Sequence, residues 1–272
     1  MTEHHPNVEP FAVAWARRFG NTAEVAIDTL SPFLGHRSVR RFLPTPIAPS
    51  LQEALFACAQ SASTSSNLHL WSAVNVTDPE LRHHIAEVAA DQRHVREAPL
   101  FLVFLADHHR LREAAHAVGE AADGLDFMEF EIMAIVDAAI AAERLVCAAE
   151  SLGLGVCYIG AVRNDVERIA KLLKLPHGVA PLFGLCVGHP DSTHDAEIKP
   201  RLQTSLVVFE NQYRSSVDVS EYDERMRSFY ESQNMKGAVT WSMRSGRRVG
   251  ADYLHGRAIL KQWLEARGFG VR

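Results

Sequence analysis

Strands and helices interleave along this chain in a way that predicts an α+β fold with a sheet between helices. Three observations carry that reading. Leu100 to Ala106 is an unbroken apolar run rich in Phe and Val, which fits a strand buried on both faces. Glu131 to Leu152 has the length of a long helix and almost no polar side, so it belongs at the centre of a core or against a partner chain. Val156 to Ile159 and Leu182 to Gly188 are further apolar runs bounded by glycine, and they supply more buried strands. With 272 residues, 47% of them hydrophobic, the chain has enough apolar material for a large core.

Taken in order, residues 1–30 read as a partly helical N-terminal extension. Residues 31–272 read as one domain with a variable excursion at 211–257. Residues 11–34 form one or two helices that lead to the segment His36-Arg37-Ser38-Val39-Arg40-Arg41. Ser50-Leu51-Gln52-Glu53 has the spacing of a capping box and opens a helix to about Ser61, with Leu51, Ala54, Leu55 and Cys58 on one face. Ser61 to Asn67 is too polar for a core and reads as a donor-rich wall of a ligand site. Leu70 to Thr77 is a strand. Asp78 caps the next helix, with Pro79 in its first turn, as far as about Ala90. Asp91 to Val95 is a polar connection, and 107–127 is polar without a fixed pattern.

The alanines at 138, 139, 141, 142, 148 and 149 let other helices approach the 131–152 helix closely, while Glu131, Asp137, Glu143 and Arg144 argue against a lipid-facing role. This helix therefore reads as core plus dimer interface, ended by Gly153. Asn164 caps a further helix, with Asp165 and Glu167 in its first turn, and Pro176 to Gly178 closes it. Lys199-Pro200-Arg201 is a second basic loop. Ser205 to Glu210 is another strand, and Leu254 to Ala266 a closing helix. Between them, 211–257 is rich in Arg and Ser around one aromatic anchor, Trp241.

Composition narrows the function. A net charge of −5 and the lack of a long basic run argue against a nucleic-acid partner. No window approaches the roughly 18 apolar residues of a membrane span. Met1 to Pro10 lacks the apolar core of a secretion signal. The four cysteines, at 58, 147, 157 and 186, form no C-x-x-C pair and sit among apolar neighbours, so they read as reduced core residues of a cytoplasmic protein. The histidines show no metal-binding spacing, and no metal is expected. Gly153-Leu154-Gly155 follows a helix and lacks a third glycine, which argues against a Rossmann dinucleotide site.

Against this acidic background the basic segment at 36–41 stands out. Guanidiniums, hydroxyls and backbone N–H groups in a short span suit a phosphate or another flat anion. Eight segments then occur in a telling order: His36-Arg37-Ser38-Val39-Arg40; the serine-rich 63–66; Gln92-Arg93-His94; Ala148 to Gly155; Tyr158-Ile159-Gly160; Arg163-Asn164; Leu182 to Gly188; and Lys199-Pro200-Arg201. Together they resemble the nitroreductase family, in particular the oxygen-insensitive NADPH nitroreductases and NADPH–FMN oxidoreductases, over about residues 30–230.

The resemblance implies a central, mostly antiparallel sheet flanked by helices, in an intertwined homodimer with FMN at the interface. It implies that His36, Arg37, Ser38 and Arg40 hold the flavin phosphate and ring edge. Gln92 would lie on the ring, Tyr158, Ile159, Gly160 and Ala161 along its N5 side, and Lys199 and Arg201 at the phosphate or pyrimidine end. Thr64, Ser65 and Ser66 would complete the pocket. Ser66, Asn67, Arg163, Asn164, Lys236 and Arg257 would meet nicotinamide nucleotide or substrate. NADPH is the expected donor, with NADH also accepted. Nitroaromatics, quinones or free flavins are the expected small-molecule acceptors, reduced by two electrons through flavin N5 in a ping-pong cycle. No side chain is expected to be an essential catalytic acid or base. An FMN-binding protein without turnover, or another flavin reaction such as reductive dehalogenation, is the alternative.

Two positions depart from the family pattern. Ala161 stands where a second glycine follows Tyr-Ile-Gly, which suits a backbone N–H contact only if its φ is not positive. The loop Ser232 to Val239, which carries the cationic cluster for the NADPH 2′-phosphate in the family, has a single lysine here, Lys236.

Overall fold

The structure, a computed structural model, describes residues 9–194, 197–235, 237 and 239–272. In chain order it contains α1 (Phe11–Phe19), α2 (Ser31–Leu34), α3 (Pro49–Gln60), β1 (Trp71–Asn75), α4 (Pro79–Val88), α5 (Arg93–Glu97), β2 (Leu100–Asp107) and α6 (His109–Ala117). There follow α7 (Met128–Ser151), β3 (Gly155–Ile159), α8 (Val166–Leu172), β4 (Val179–Gly188), α9 (Ser220–Ser232), α10 (Trp241–Arg248) and α11 (Leu260–Ala266). The chain divides into two compact units. The larger is Ser38–Ala196 with His255–Arg272, and the smaller lies within Met1–Arg37 and Glu197–Leu254.

The larger unit is built on a four-stranded sheet in the order β1-β2-β4-β3, antiparallel at every pairing. Every residue of β2 is buried, as its unbroken apolar run predicts. Alternate side chains of a strand leave opposite faces, so β2 feeds two cores. Phe101, Val103 and Leu105 pack with Ile85 and Val88 of α4, Val95 of α5 and Ile169 of α8. Leu100, Leu102 and Phe104 pack with Leu55 and Ala59 of α3 and with Ala141, Leu145 and Val146 of α7. The expected sheet between helices is therefore present.

Helix α7 ends as its glycine predicts. Gly153 has φ +76°, its N–H donates to the Glu150 oxygen at 3.0 Å, and the Leu154 N–H reaches the Ala149 oxygen at 3.0 Å. This is a Schellman closure, and a side chain at 153 would be strained. Two residues later Gly155 serves a different purpose. The middle of the basic segment lies along β3, with Ser38 bridged to Val156 and the Val39 N–H on the Val156 oxygen at 2.8 Å. A Cβ on Gly155 would come within 2.6 Å of Val39 Cγ2. The segment then bridges Phe42 to Pro190, covering the sheet's open edge.

Local expectations fail where a competing interaction was not visible. Ser50 is not an N-cap. Pro49, with its fixed φ, takes the first turn and moves the start back to Ala48, and Gln52 Nε2 bonds the Ile47 oxygen at 2.8 Å. Asp165, not Asn164, caps α8, accepting from the Arg168 N–H at 2.9 Å. Residues 91–95 run into the short helix α5, and 107–127 contains α6, whose Arg110 N–H is held by Asp107 Oδ1 at 3.1 Å. Ser205 to Glu210 is not a strand. A 3₁₀ turn occupies Thr204–Leu206, and Val207 and Val208 stay exposed without a neighbour to pair with. The 211–257 excursion is ordered by α9 and α10 around the buried stripe Tyr222, Met226 and Tyr230, against which Trp241 packs. Leu254 to Ala266 is helical only from Leu260, after a 3₁₀ turn at Arg257–Ile259. Among the cysteines, 157 and 186 are buried as expected, but 58 and 147 are half-exposed.

Gly155→Ala should force Val39 off β3 and cost about 1–3 kcal/mol in a urea titration; a stability equal to the parent's would show that the covering segment is loosely held. Buried His94 on α5 gives a pH prediction. Burial first, and then the charges of Arg40 and Arg41, lower its pKa to about 4 from 6.5. The unfolded chain thus binds more protons between those values, so the stability given by neutral His94 is complete above pH 6.5 and is lost as pH falls toward 4. The loss should reach up to about 3 kcal/mol and be smaller in His94→Gln. Identical pH dependence in both proteins would discount it.

Candidate functional site

In the smaller unit the two basic loops meet. The last turn of α1 carries Arg18, which is 5% exposed. Its Nε donates to the Leu34 oxygen at 2.9 Å, its Nη1 to the Lys199 oxygen at 2.8 Å, and its Nη2 to the His36 oxygen. The Arg18 backbone oxygen accepts the Arg201 N–H at 2.8 Å and Arg225 Nη1 at 3.1 Å. Arg225 Nη2 reaches the Arg201 oxygen at 3.1 Å. The carbonyls of Leu34 and His36 on one side and of Lys199 on the other therefore converge on one guanidinium. The Arg201 head stays exposed and donates to the Lys199 and Pro200 oxygens of its own loop, at 3.2 and 3.3 Å. Arg18 was missed by sequence reasoning. Its one visible signal is a cationic residue on the helical stripe that also holds Phe11 and Ala14, the buried face of α1.

In the larger unit, Ser38 and Arg40 lie on the segment that covers β3. Arg40 is exposed, with Nη1 3.4 Å from the Ser38 oxygen. Gln92 begins α5, and His94 Nε2 on that helix is 3.9 Å from Cys157 Sγ in β3. Burial pushes the Cys157 thiol up and the nearby Arg40 charge opposes it. At the far end of β3, Tyr158 is 38% exposed, stands edge-on to Phe183 and donates to Glu143 Oε2 at 3.0 Å. Burial and the Glu143 carboxylate push its phenol well above the usual range, so it stays protonated. Ile159 is buried, and a 3₁₀ turn starts at Gly160. Ala161 in that turn does not have a positive φ, so its departure from glycine carries no backbone strain.

Thr64 to Asn67 occupies another part of this unit. Ser66 and Asn67 have φ +49° and +58°, a conformation that L side chains rarely adopt. The loop is pinned from below by Asp137 of α7, 1% exposed, whose Oδ1 accepts the Ser65 N–H at 2.9 Å and Oδ2 the Leu70 N–H at 3.2 Å. Arg110 fastens its far side, donating to the oxygens of His69 and Trp71. Among the described residues, none of these bonds runs to β3 or to the 38–41 segment. Asp137 is the second residue that sequence reasoning passed over.

The expected nucleotide contacts divide. Arg257 Nε donates to Asn164 Oδ1 at 3.0 Å, and Asn164 Nδ2 to the Val88 oxygen at 3.2 Å, so these two residues are brought together. Arg163 turns inward to the Leu182 oxygen, and burial lowers its pKa. Lys236 lies outside the described residues.

Comparison with known proteins agrees with this architecture. The model of the nitroreductase family matches residues 34–189, and that of the family's C-terminal domain matches 199–272. The NADPH-flavin oxidoreductase of Vibrio harveyi is 37% identical over 249 residues, covering 90% of this chain and 99% of that protein. The oxygen-insensitive NADPH nitroreductase of Salmonella typhimurium is 37% identical over 247 residues, with the same coverage. Among solved structures, the NADPH:FMN oxidoreductase from Vibrio harveyi complexed with NAD+ superposes with a TM-score of 0.79 at 36% identity, covering 90% of this chain and 99% of that one. An antiparallel sheet between helices, two basic loops gathered by one buried arginine, and matches along nearly the whole chain lead to one conclusion: this chain belongs to the nitroreductase family.

Proposed function

We propose that the protein is an NAD(P)H-dependent oxidoreductase that carries FMN and reduces small electron-poor acceptors such as nitroaromatics, quinones or free flavins. The observation that carries this reading is the convergence of the two basic loops on Arg18 in a nitroreductase chain. The donor set suits the cofactor. An FMN phosphate is close to a dianion at neutral pH and needs two or more cationic partners. Among the described residues, Arg40 and Arg201 bond only backbone oxygens of their own loops, leaving their charge for such a ligand.

In this reading His36, Arg37, Ser38 and Arg40 hold the phosphate and ring edge, and Lys199 and Arg201 the phosphate or pyrimidine end. Gln92 meets the ring, and Tyr158, Ile159, Gly160 and Ala161 line its N5 side. A cation at the pyrimidine end favours the reduced, anionic flavin. Asn164 and Arg257, already joined, take part of the nicotinamide nucleotide, with Arg163 and Lys236. Bound FMN supplies two-electron hydride transfer, taking electrons from NAD(P)H and giving them to the acceptor at one shared face. Tyr158 is committed to Glu143, which leaves solvent as the source of protons.

Thr64, Ser65 and Ser66 complete the flavin pocket of a second subunit in a homodimer, and Ser66 and Asn67 meet nicotinamide nucleotide or substrate there. Support comes from α7, whose inner face is core while Ile132, Ile135, Val136 and Ile140 remain exposed, an apolar stripe suited to a second copy. No helix among the described residues is long and apolar enough to cross a membrane. The half-exposed free thiols of Cys58 and Cys147 agree with a cytoplasmic setting.

The visible spectrum of the purified protein, before and after anaerobic NADPH, tests the proposal. Flavin bands that bleach on reduction are expected. A colourless preparation that takes up no FMN, or a yellow one that stays oxidised under excess NAD(P)H, would overturn it. Arg37→Ala should weaken FMN binding by about 1.5–3 kcal/mol, read as flavin released on dilution. Arg18→Met should lower both FMN occupancy and the urea midpoint, by at least about 2 kcal/mol in stability, because it strips donors from three carbonyls. Full flavin retention in both variants would show the basic loops to be solvated surface.

A further inference from the structure

His108, the residue after β2 in the larger unit, is wholly buried and has no part in the flavin and nucleotide assignments. Its ring lies 4.5 Å from the Phe269 ring, tilted by 41°. Its Nε2 is 3.1 Å from the Phe130 oxygen, which can only accept, so the neutral ring carries its proton on Nε2. Nδ1 is then a bare acceptor, buried with no partner among the described residues. A proton added there would leave a charged N–H enclosed without an acceptor.

The surroundings of Phe269 lead to the serine-rich loop. Phe269 is 1% exposed and shares one core cluster with Leu70, Ala106, Ala134 and Ala180. With alanine at three of those positions, its ring fills much of the space between them. Leu70 follows the loop: its N–H donates to Asp137 Oδ2 at 3.2 Å, and its oxygen accepts the Asp107 N–H at 2.9 Å. Ala134 stands three residues before Asp137 on α7, so the two share a helical face. The ring therefore backs both Leu70 and the carboxylate that holds the Ser65 N–H at 2.9 Å. Left-handed backbone at Ser66, Asn67 and His69 persists only while its surroundings over-determine it.

We propose that Phe269 is a positioning residue for the serine-rich loop and stays seated only while the His108 ring is neutral. The inference rests on the assignment of Thr64 to Asn67 to flavin and to nucleotide or substrate. Burial lowers the His108 pKa from 6.5 and the bond to Phe130 opposes it; Arg112 of α6 lowers it further, while Asp107 and Asp126 raise it. The other charges on this face are Arg267, on the oxygens of Leu175 and Pro176, Arg272, by Asp126, and His177, against Gly268. Glu131 packs against Gly270, and burial and then Glu265 raise its pKa from 4.5. Seated His108 binds fewer protons than freed His108, so seating is complete above pH 6.5 and is lost as pH falls through the lowered value. Glu131 acts in the opposite sense, its contribution fading as pH rises through its raised value.

The test uses the flavin-loaded protein with Phe269→Ala, the milder Phe269→Leu, His108→Gln and Ile85→Ala. Gln at 108 keeps a donor for the Phe130 oxygen and takes up no proton. Ile85 is a control, a core residue on the opposite face of the sheet. Amide-exchange protection over residues 64–70, corrected for the intrinsic pH dependence of exchange, is read beside FMN affinity and the urea midpoint. Phe269→Ala should lower protection over 64–70 and FMN affinity by about 10-fold each, and Phe269→Leu should restore most of both. Ile85→Ala should lower the urea midpoint and leave the other two near the parent's. From about pH 7.5 to 5 the parent should lose protection over 64–70, and His108→Gln should keep it. Unchanged protection in Phe269→Ala, or an equal loss in Ile85→Ala, would reduce Phe269 to an ordinary core residue and overturn the inference. Identical pH profiles in the parent and His108→Gln would overturn the dependence on His108. If the parent holds no FMN, the flavin reading fails, and exchange over 64–70 alone decides whether Phe269 positions the loop.

Discussion

The Arg18 guanidinium organises the smaller unit of this protein. A fully charged group held at 5% exposure is costly unless its donors are satisfied, and here they are met by three backbone oxygens drawn from Leu34, His36 and Lys199. The bonding is mutual, because the Leu34 carbonyl lies at the open C-terminal end of α2 and those of His36 and Lys199 lie outside any helix or strand. Once the charge is buried, the loops must come to it. The two basic segments are thereby tied to one another through their backbones, and the Arg201 side chain stays exposed. An anion can answer that concentration of charge, and an acidic chain can keep it without becoming a general polyanion binder.

Asp137 plays the corresponding part in the larger unit. It is almost wholly buried on α7, and both of its carboxylate oxygens accept backbone N–H groups, of Ser65 within the serine-rich loop and of Leu70 just after it. Such bonds offset the strain of left-handed backbone at Ser66, Asn67 and His69. A loop held in a sparsely populated conformation by a buried charge presents its hydroxyls in a fixed direction. That rigidity suits a surface that contributes to a ligand site.

Much of the frame was legible before any coordinates. The apolar run at 100–106 could only be a strand with both faces covered, and the structure covers one face with α4, α5 and α8 and the other with α3 and α7. Asp78 and Gly153 announced a helix start and a helix end through local chemistry alone. The errors cluster where local signals compete. Pro49 outranked Ser50 because its fixed φ already fits the first turn, and Asp165 outranked Asn164, whose amide was engaged by Val88 and Arg257. The valines at 207 and 208 have strand propensity but no neighbouring strand to realise it. Helices α9 and α10 escaped notice because their apolar stripe is only Tyr222, Met226 and Tyr230 against Trp241, within a strongly polar stretch.

The sequence by itself determined the α+β alternation, the buried strands, the long apolar helix and the two basic loops, because each is written in contiguous residues whose spacing fixes a local conformation. Only the tertiary structure decided that the basic loops share one guanidinium, that Asp137 braces the serine-rich loop, and that Phe269 lies against His108. The reason is physical: these are pairings between groups tens to hundreds of residues apart, and a side chain's partner is set by where the folded backbone brings it rather than by its neighbours along the chain.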